Sequence, residues 1–174
     1  MIRTGIRSAL GLLLACAFLV APSPSASAVR PVAAAAIDAT SVSKEAVKLR
    51  SDVAARMQTY IDQYGDRFSA SELATLASLR GDADRKLADV VSATNALKEV
   101  TIRRGTSTQV RAAADRAIGA WARAKAAADT SWAKAGAIME PKLGIFEKLG
   151  ALNDYNAMMD RFDTLGTHIK SLRR

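Results

Sequence analysis

Beyond residue 16 the chain has no cysteine, and Cys16 is the only one it contains. A segment without cysteine has no disulfide, no thiol nucleophile and no thiolate metal site. Histidine is as scarce. His168 stands alone, and one histidine cannot build the usual zinc ligand set. Thr164 and Leu165 precede it by four and three residues, so the Glu-x-x-His motif of carboxylate metal bundles is missing. No Cys-x-x-Cys-His is present, and no serine sits in a Gly-x-Ser-x-Gly elbow. Nothing in this inventory calls for a cofactor. Aromatic residues make up only 5%, prolines number four, and much of the 49% hydrophobic content is alanine. Alanine is the best helix former and lets helices approach closely, so the chain reads as all-α.

Long apolar runs are also few. The clearest is Leu10–Val20, preceded by Arg3 and Arg7 and followed by Pro22, Pro24 and Ala26-Ser27-Ala28. A positive start, an apolar stretch and small residues at the cut form a secretory signal peptide, with cleavage expected after Ala28. The run is too short for a permanent membrane span. Leu13-Leu14-Ala15-Cys16 resembles a lipobox, but Ala-Phe-Leu-Val follows it and the apolar segment simply continues. No arginine pair precedes the run, so export in the folded state through the twin-arginine route is not indicated. The expected location is therefore outside the cell, released or associated with the surface.

The expected organisation is a signal peptide over residues 1–28, a flexible leader over 29–40 and one helical domain over 41–174. The precursor carries 25 basic and 17 acidic side chains. Loss of Arg3 and Arg7 leaves 23 against 17, a charge of +6. Such a balance favours anionic partners such as an envelope polymer or an acidic lipid surface. The charges are interspersed rather than blocked, which suits a mixed solvated surface equally and disfavours nucleic acid.

Four amphipathic helices follow from apolar spacing and punctuation. The first runs from about Ser41 to Tyr64, with Val42, Ala46, Leu49, Val53, Met57 and Tyr60 on one stripe and Gly65 as a left-handed cap. The second opens with the capping box Ser69/Glu72 and closes at Arg103-Arg104-Gly105. Its stripe is Leu73, Leu76, Ala83, Leu87, Val90, Thr94 and Leu97. Gly81-Asp82 is its weak point, a place for a break or kink. The third opens with the capping box Thr106/Gln109 and carries Val110, Ala114, Ile118, Trp121, Ala128, Trp132, Ala135 and Met139. The fourth is expected from Pro141, with Ile145, Leu149, Leu152, Tyr155, Met159, Phe162, Leu165 and Ile169 inward. Short connections between such helices imply an antiparallel, up-down-up-down four-helix bundle. That topology gathers Tyr60, Tyr64, Phe68, Trp132 and Phe146 near one pole, mostly inside.

Three sets of residues could carry function. In this topology Arg103 and Arg104 share the opposite pole with Lys170, Arg173 and Arg174, with Lys98 and Arg111 nearby. That basic pole could dock on an anionic polymer, a lipid surface or a partner protein. Arg80 and Lys125 fall on apolar stripes, where they either snorkel or line an internal pocket for a small acid. His168, Tyr155, Met158 and Met159 share the last helix and offer haem-ligand chemistry in a carrier. The carboxylate pairs Asp82/Asp84 and Asp160/Asp163 lie beside basic residues on solvent faces. Leu143–Leu152 could seek a membrane surface, although core packing accounts for it more simply. The leading expectation is a secreted, cofactor-free helical binding protein acting at the cell envelope or beyond. The alternative is a small secreted enzyme or ligand carrier, and a membrane-active effector comes third.

Overall fold

A computed structural model describes residues 37–173. Among them every regular element is helical: α1 (Ala39–Tyr64), a short 3-10 turn (Gly65–Arg67), α2 (Ala70–Ile102), α3 (Ser107–Met139) and α4 (Ile145–Ser171). The expected signal peptide and most of the leader lie outside the described residues. None of the described helices is long and apolar enough to cross a membrane.

Each helix start is fixed by local chemistry. The Asp38 carboxylate accepts from the Ser41 N–H at 2.7 Å, so α1 begins two residues before Ser41. That hydrogen bond holds the Asp38 carboxyl below the usual range. The two capping boxes read from the sequence are both present. Ser69 and Glu72 exchange bonds at 3.3 and 2.7 Å, and Thr106 and Gln109 at 3.3 and 2.8 Å. Each pair satisfies two backbone donors that a helix start leaves orphaned.

Four expectations about helix ends and breaks are corrected. α2 is one α-helix from Ala70 to Ile102 with Gly81 and Asp82 in its interior, so no break occurs there. A single glycine costs only about 1 kcal/mol, and the apolar stripe on both sides outweighs it. Gly65 is not left-handed. At φ −54 it continues into the 3-10 turn that brings Phe68 inward. At the end of α2 the left-handed residue is Arg104, at φ 52, not Gly105. The Arg104 N–H reaches Thr101 O and the Gly105 N–H reaches Val100 O at 2.9 Å, the two bonds of a Schellman motif. Gly105 is needed one position later, because a Cβ there would lie 2.7 Å from Val100 Cγ1. Finally, Pro141 does not open α4. Without an N–H it cannot extend α3, and it lies in the connection before Gly144, whose N–H donates to Glu147 at 2.7 Å.

The helices close a ring of neighbours: α1 on α2, α2 on α3, α3 on α4 and α4 on α1. One core cluster gathers Val42, Leu49, Leu87, Val90, Leu97, Phe162, Leu165 and Ile169 against the alanines Ala113, Ala114, Ala117, Ala120 and Ala124. A second gathers Tyr64, Phe68, Leu76, Leu79, Ala135, Met139, Leu143 and Ala151, with Tyr60 and Trp132 packed against it. Leu79, not Arg80, takes the inward position on α2.

Phe146 departs from the expected aromatic pole. It is 88% exposed, with Ile145 at 75% and Leu149 at 46%. Core packing therefore does not account for the Leu143–Leu152 stretch. Its inward members are Leu143 and Ala151, and the large side chains between them face outward. Sixteen residues separate Phe146 from the buried Phe162, which puts the two on opposite sides of α4.

Candidate functional site

The two clusters do not fill the whole interior. Between them lies a cavity of about 510 Å³, within the ~300–1,000 Å³ range of small-molecule sites. α1 contributes Asp52, Arg56, Met57, Tyr60 and Tyr64. α3 contributes Ser131, Trp132 and Met139, and α4 contributes Asp154, Tyr155, Met158 and Arg161. Leu76 and Ala83 of α2 also line it.

The void has a compositional cause. Around it α3 presents Ala128, Ser131 and Ala135, and α4 presents Ala157. The adjoining turns of α4 carry Gly150, Ala151, Asn153 and Asn156. The other half has Phe162, Leu165 and Ile169 fully inward against its alanines. The bulky residues sit on the walls. Trp132 stacks on Tyr155 at 4.8 Å between centroids, and Tyr60 on Tyr64 at 6.0 Å. All three tyrosines and one of the two tryptophans line this cavity in a chain with 5% aromatics.

Its polar groups sit along the α1–α4 seam. The Tyr60 hydroxyl donates to Asp154 at 2.7 Å. Burial, then that carboxylate, pushes the Tyr60 hydroxyl far above its ordinary pKa, so it stays protonated. Arg56 lies 3.5 Å from the other Asp154 oxygen, and Arg161 is 2.6 Å from Asp52. Hydrogen bonds from Lys48 and Arg161 hold the Asp52 carboxyl below its usual range. Farther along, Arg67 makes a two-pronged bond to Glu147 at 2.7 and 3.0 Å and stacks over Tyr64 at 5.1 Å. The seam is thus bridged by ion pairs, and a recess lined by Arg56, Tyr60, Phe146, Gly150 and Asp154 adjoins the cavity there.

The residues singled out from sequence are arranged differently. Neither Arg80 nor Lys125 lines the cavity: Arg80 bonds Gln58, and Lys125 bonds Asp163. Tyr155 and Met158 do line it, but Met159 does not. His168 lies elsewhere, its Nδ1 2.7 Å from Glu45. Among the described residues no group of three or more His, Cys, Asp and Glu side chains could hold a metal. Of the carboxylate pairs, Asp84 takes two bonds from Arg50 at 2.7 and 2.8 Å, which hold its carboxyl low. Asp82 pairs with Arg85.

In the expected basic pole, Lys98 and Arg103 both approach Glu99, at 3.9 and 3.8 Å. Arg173 bonds Asp115 at 2.6 Å, a partner that reading the ends of the helices alone overlooks. The Lys170 ammonium lies 4.6 Å from the Trp121 ring centroid. Arg104 and Arg111 are exposed, and Arg174 lies outside the described residues.

Compared with protein-family models, curated proteins and solved structures, the chain matches none.

Proposed function

We propose that this chain is an exported helical binding protein whose binding element is the cavity between the two core clusters. The single observation that carries the reading is a void of about 510 Å³ edged by stacked aromatics in a chain whose other half packs closely. The cavity is half open to solvent, and a bound apolar molecule would take its apolar walls out of water. Export rests on the signal-peptide layout of residues 1–28 and predicts a mature start at Val29.

The helices run antiparallel, up-down-up-down, in this reading. Residue pairs in opposite order support it: Ser43 with Asn95 and Arg50 with Asp84 between α1 and α2, and Glu45 with His168 and Tyr60 with Asp154 between α1 and α4.

Native mass spectrometry of protein purified from its own culture medium tests the reading. The protein should retain a small organic molecule, and Ser131→Leu, which fills the cavity, should lose it. Equal spectra for both proteins, with no added mass, would end the proposal. N-terminal sequencing of the same sample checks the cut.

A second reading keeps the basic pole as a dock for anionic envelope polymer or acidic lipid. The favouring observation is Arg104, held exposed and left-handed where glycine is the usual residue. Binding to anionic vesicles that falls with salt, and that vanishes when Arg103, Arg104 and Arg173 become Glu, is the expected outcome.

A further inference from the structure

We infer that the cavity takes an uncharged, ring-bearing apolar molecule with one hydrogen-bond donor, which enters along the α1–α4 seam beside Phe146 and meets Asp154. The inference rests on the proposal that the cavity is the binding element.

Charge comes first. The ionised groups at the cavity edge cancel: Asp52 faces Arg161, and Asp154 faces Arg56. No net charge is left to recognise an anion or a cation, and a charged ligand would break a pair to be neutralised.

Donor and acceptor supply comes second. Arg161 is engaged with Asp52, and the Tyr60 hydroxyl is committed to Asp154. Acceptor capacity remains, because a carboxylate offers about four lone-pair sites and Asp154 has one bond at 2.7 Å and one distant contact at 3.5 Å. Asp154 also lines both the cavity and the recess. A ligand hydroxyl can donate to that open side of Asp154.

Shape and softness come third. Stacked aromatic pairs border the space, which suits a flat ring system. Three of the chain's five methionines, Met57, Met139 and Met158, line it too, and methionine adapts to irregular apolar surfaces. At the mouth, Phe146 lines the recess while remaining 88% exposed, next to Ile145 and Leu149. A cluster of exposed large apolar residues is unusual unless it meets something apolar.

Calorimetric titration of the purified protein with four probes tests this: 1-naphthol, naphthalene, 1-naphthoate and 1-naphthyltrimethylammonium. 1-Naphthol should bind roughly tenfold tighter than naphthalene, the gain expected of a hydrogen bond to a charged group, and at least as far ahead of both ions. Asp154→Asn should shrink its advantage over naphthalene several-fold. Phe146→Ser, on an exposed side chain, should slow or weaken uptake and leave the unfolding midpoint unchanged. If an ion binds best, the ligand class is wrong while the cavity reading stands. Equal affinity for naphthol and naphthalene would remove the donor, and an unaffected Phe146→Ser would remove the entrance. If none of the four binds, the inference and the reading beneath it fall together.

Discussion

Trp121 and Trp132 lie eleven residues apart on α3, three turns of one helix, and meet opposite surroundings. The Trp121 indole presses into a notch on α4 made by Gly166, where any Cβ would overlap the ring. Its Nε1 donates to Phe162 O at 2.7 Å, and Lys170 covers a face. Trp132 stacks on Tyr155 and borders a void. The same residue type at the same helical phase thus completes a core in one half and edges a cavity in the other. What differs is the fit: the Gly166 notch and the Phe162 carbonyl receive the first ring, while the second stacks on Tyr155 beside open space. Packing complementarity was built around Trp121 and withheld around Trp132.

The largest expected effect tests that contrast directly. Trp121→Ala should cost about 3–5 kcal/mol, the usual loss for a packed aromatic. Trp132→Ala should cost less than about 2 kcal/mol, because it enlarges space that is already open. Urea denaturation of both variants measures the difference. Equal losses would mean that the Trp132 half is packed as well as the other.

Two glycines on α4 should respond with opposite signs. Gly166→Ala must displace the Trp121 ring and should cost about 1–3 kcal/mol. At Gly150 a Cβ meets nothing within 4 Å, so Gly150→Ala should stabilise by about 0.5–1 kcal/mol through a less flexible unfolded chain. A stabilising Gly166→Ala in thermal unfolding would break the account of the notch.

Filling the void comes next. Ser131 is buried on α3 and faces the cavity. Ser131→Leu should raise stability by about 0.5–2 kcal/mol, as cavity-filling changes do. Destabilisation would mean the space is occupied or too narrow for the added atoms.

Local chemistry explains what was readable in the sequence. Ser69/Glu72 and Thr106/Gln109 act within one helical turn, so their spacing suffices to place two helix starts. The apolar stripes of α1 and α2 likewise mark what is buried. Four features depend on more than stripe and cap spacing. Whether Leu79 or Arg80 turns inward is set by the phase of α2 against α1 and α3. Gly65 and Gly105 were both plausible left-handed caps, yet the φ > 0 position fell to Arg104 because Gly105 is needed for close approach to Val100. Phe146 belongs to an apolar pattern but sits before the turn where α4 meets its neighbours. The cavity is a volume deficit shared among four helices, and no single stripe records it. Its trace in the sequence is limited to the small residues Ala128, Ser131 and Ala135 on α3 and Ala157 on α4.

The smallest effect concerns acid. In the cavity half, Asp52–Arg161 bridges α1 to α4 and Arg67–Glu147 ties the 3-10 turn after α1 to α4. Hydrogen bonds to Lys48 and Arg161 lower the Asp52 carboxyl, and the Arg67 guanidinium does the same for Glu147. A carboxyl whose pKa is lower folded than unfolded stabilises the fold above its unfolded value, about 3.9 for Asp and 4.3 for Glu. That contribution is lost as pH falls through the folded value. Stability from these groups should therefore be flat from pH 7 to near pH 5 and decline below about pH 4. The Asp52 pair is partly exposed, so its share is at most about 1 kcal/mol. Acid should loosen the seam beside the cavity before it disturbs the notch, which apolar packing and a backbone carbonyl hold. Tryptophan emission can separate the two halves. The Trp132 signal, isolated by comparison with Trp132→Phe, should shift at higher pH than the Trp121 signal. Asp52→Asn should flatten the Trp132 transition and leave the Trp121 transition in place. Simultaneous transitions in both halves would mean that the ion-paired seam is no weaker than the packed core, and the contrast between the two tryptophans would then be one of shape without a difference in stability.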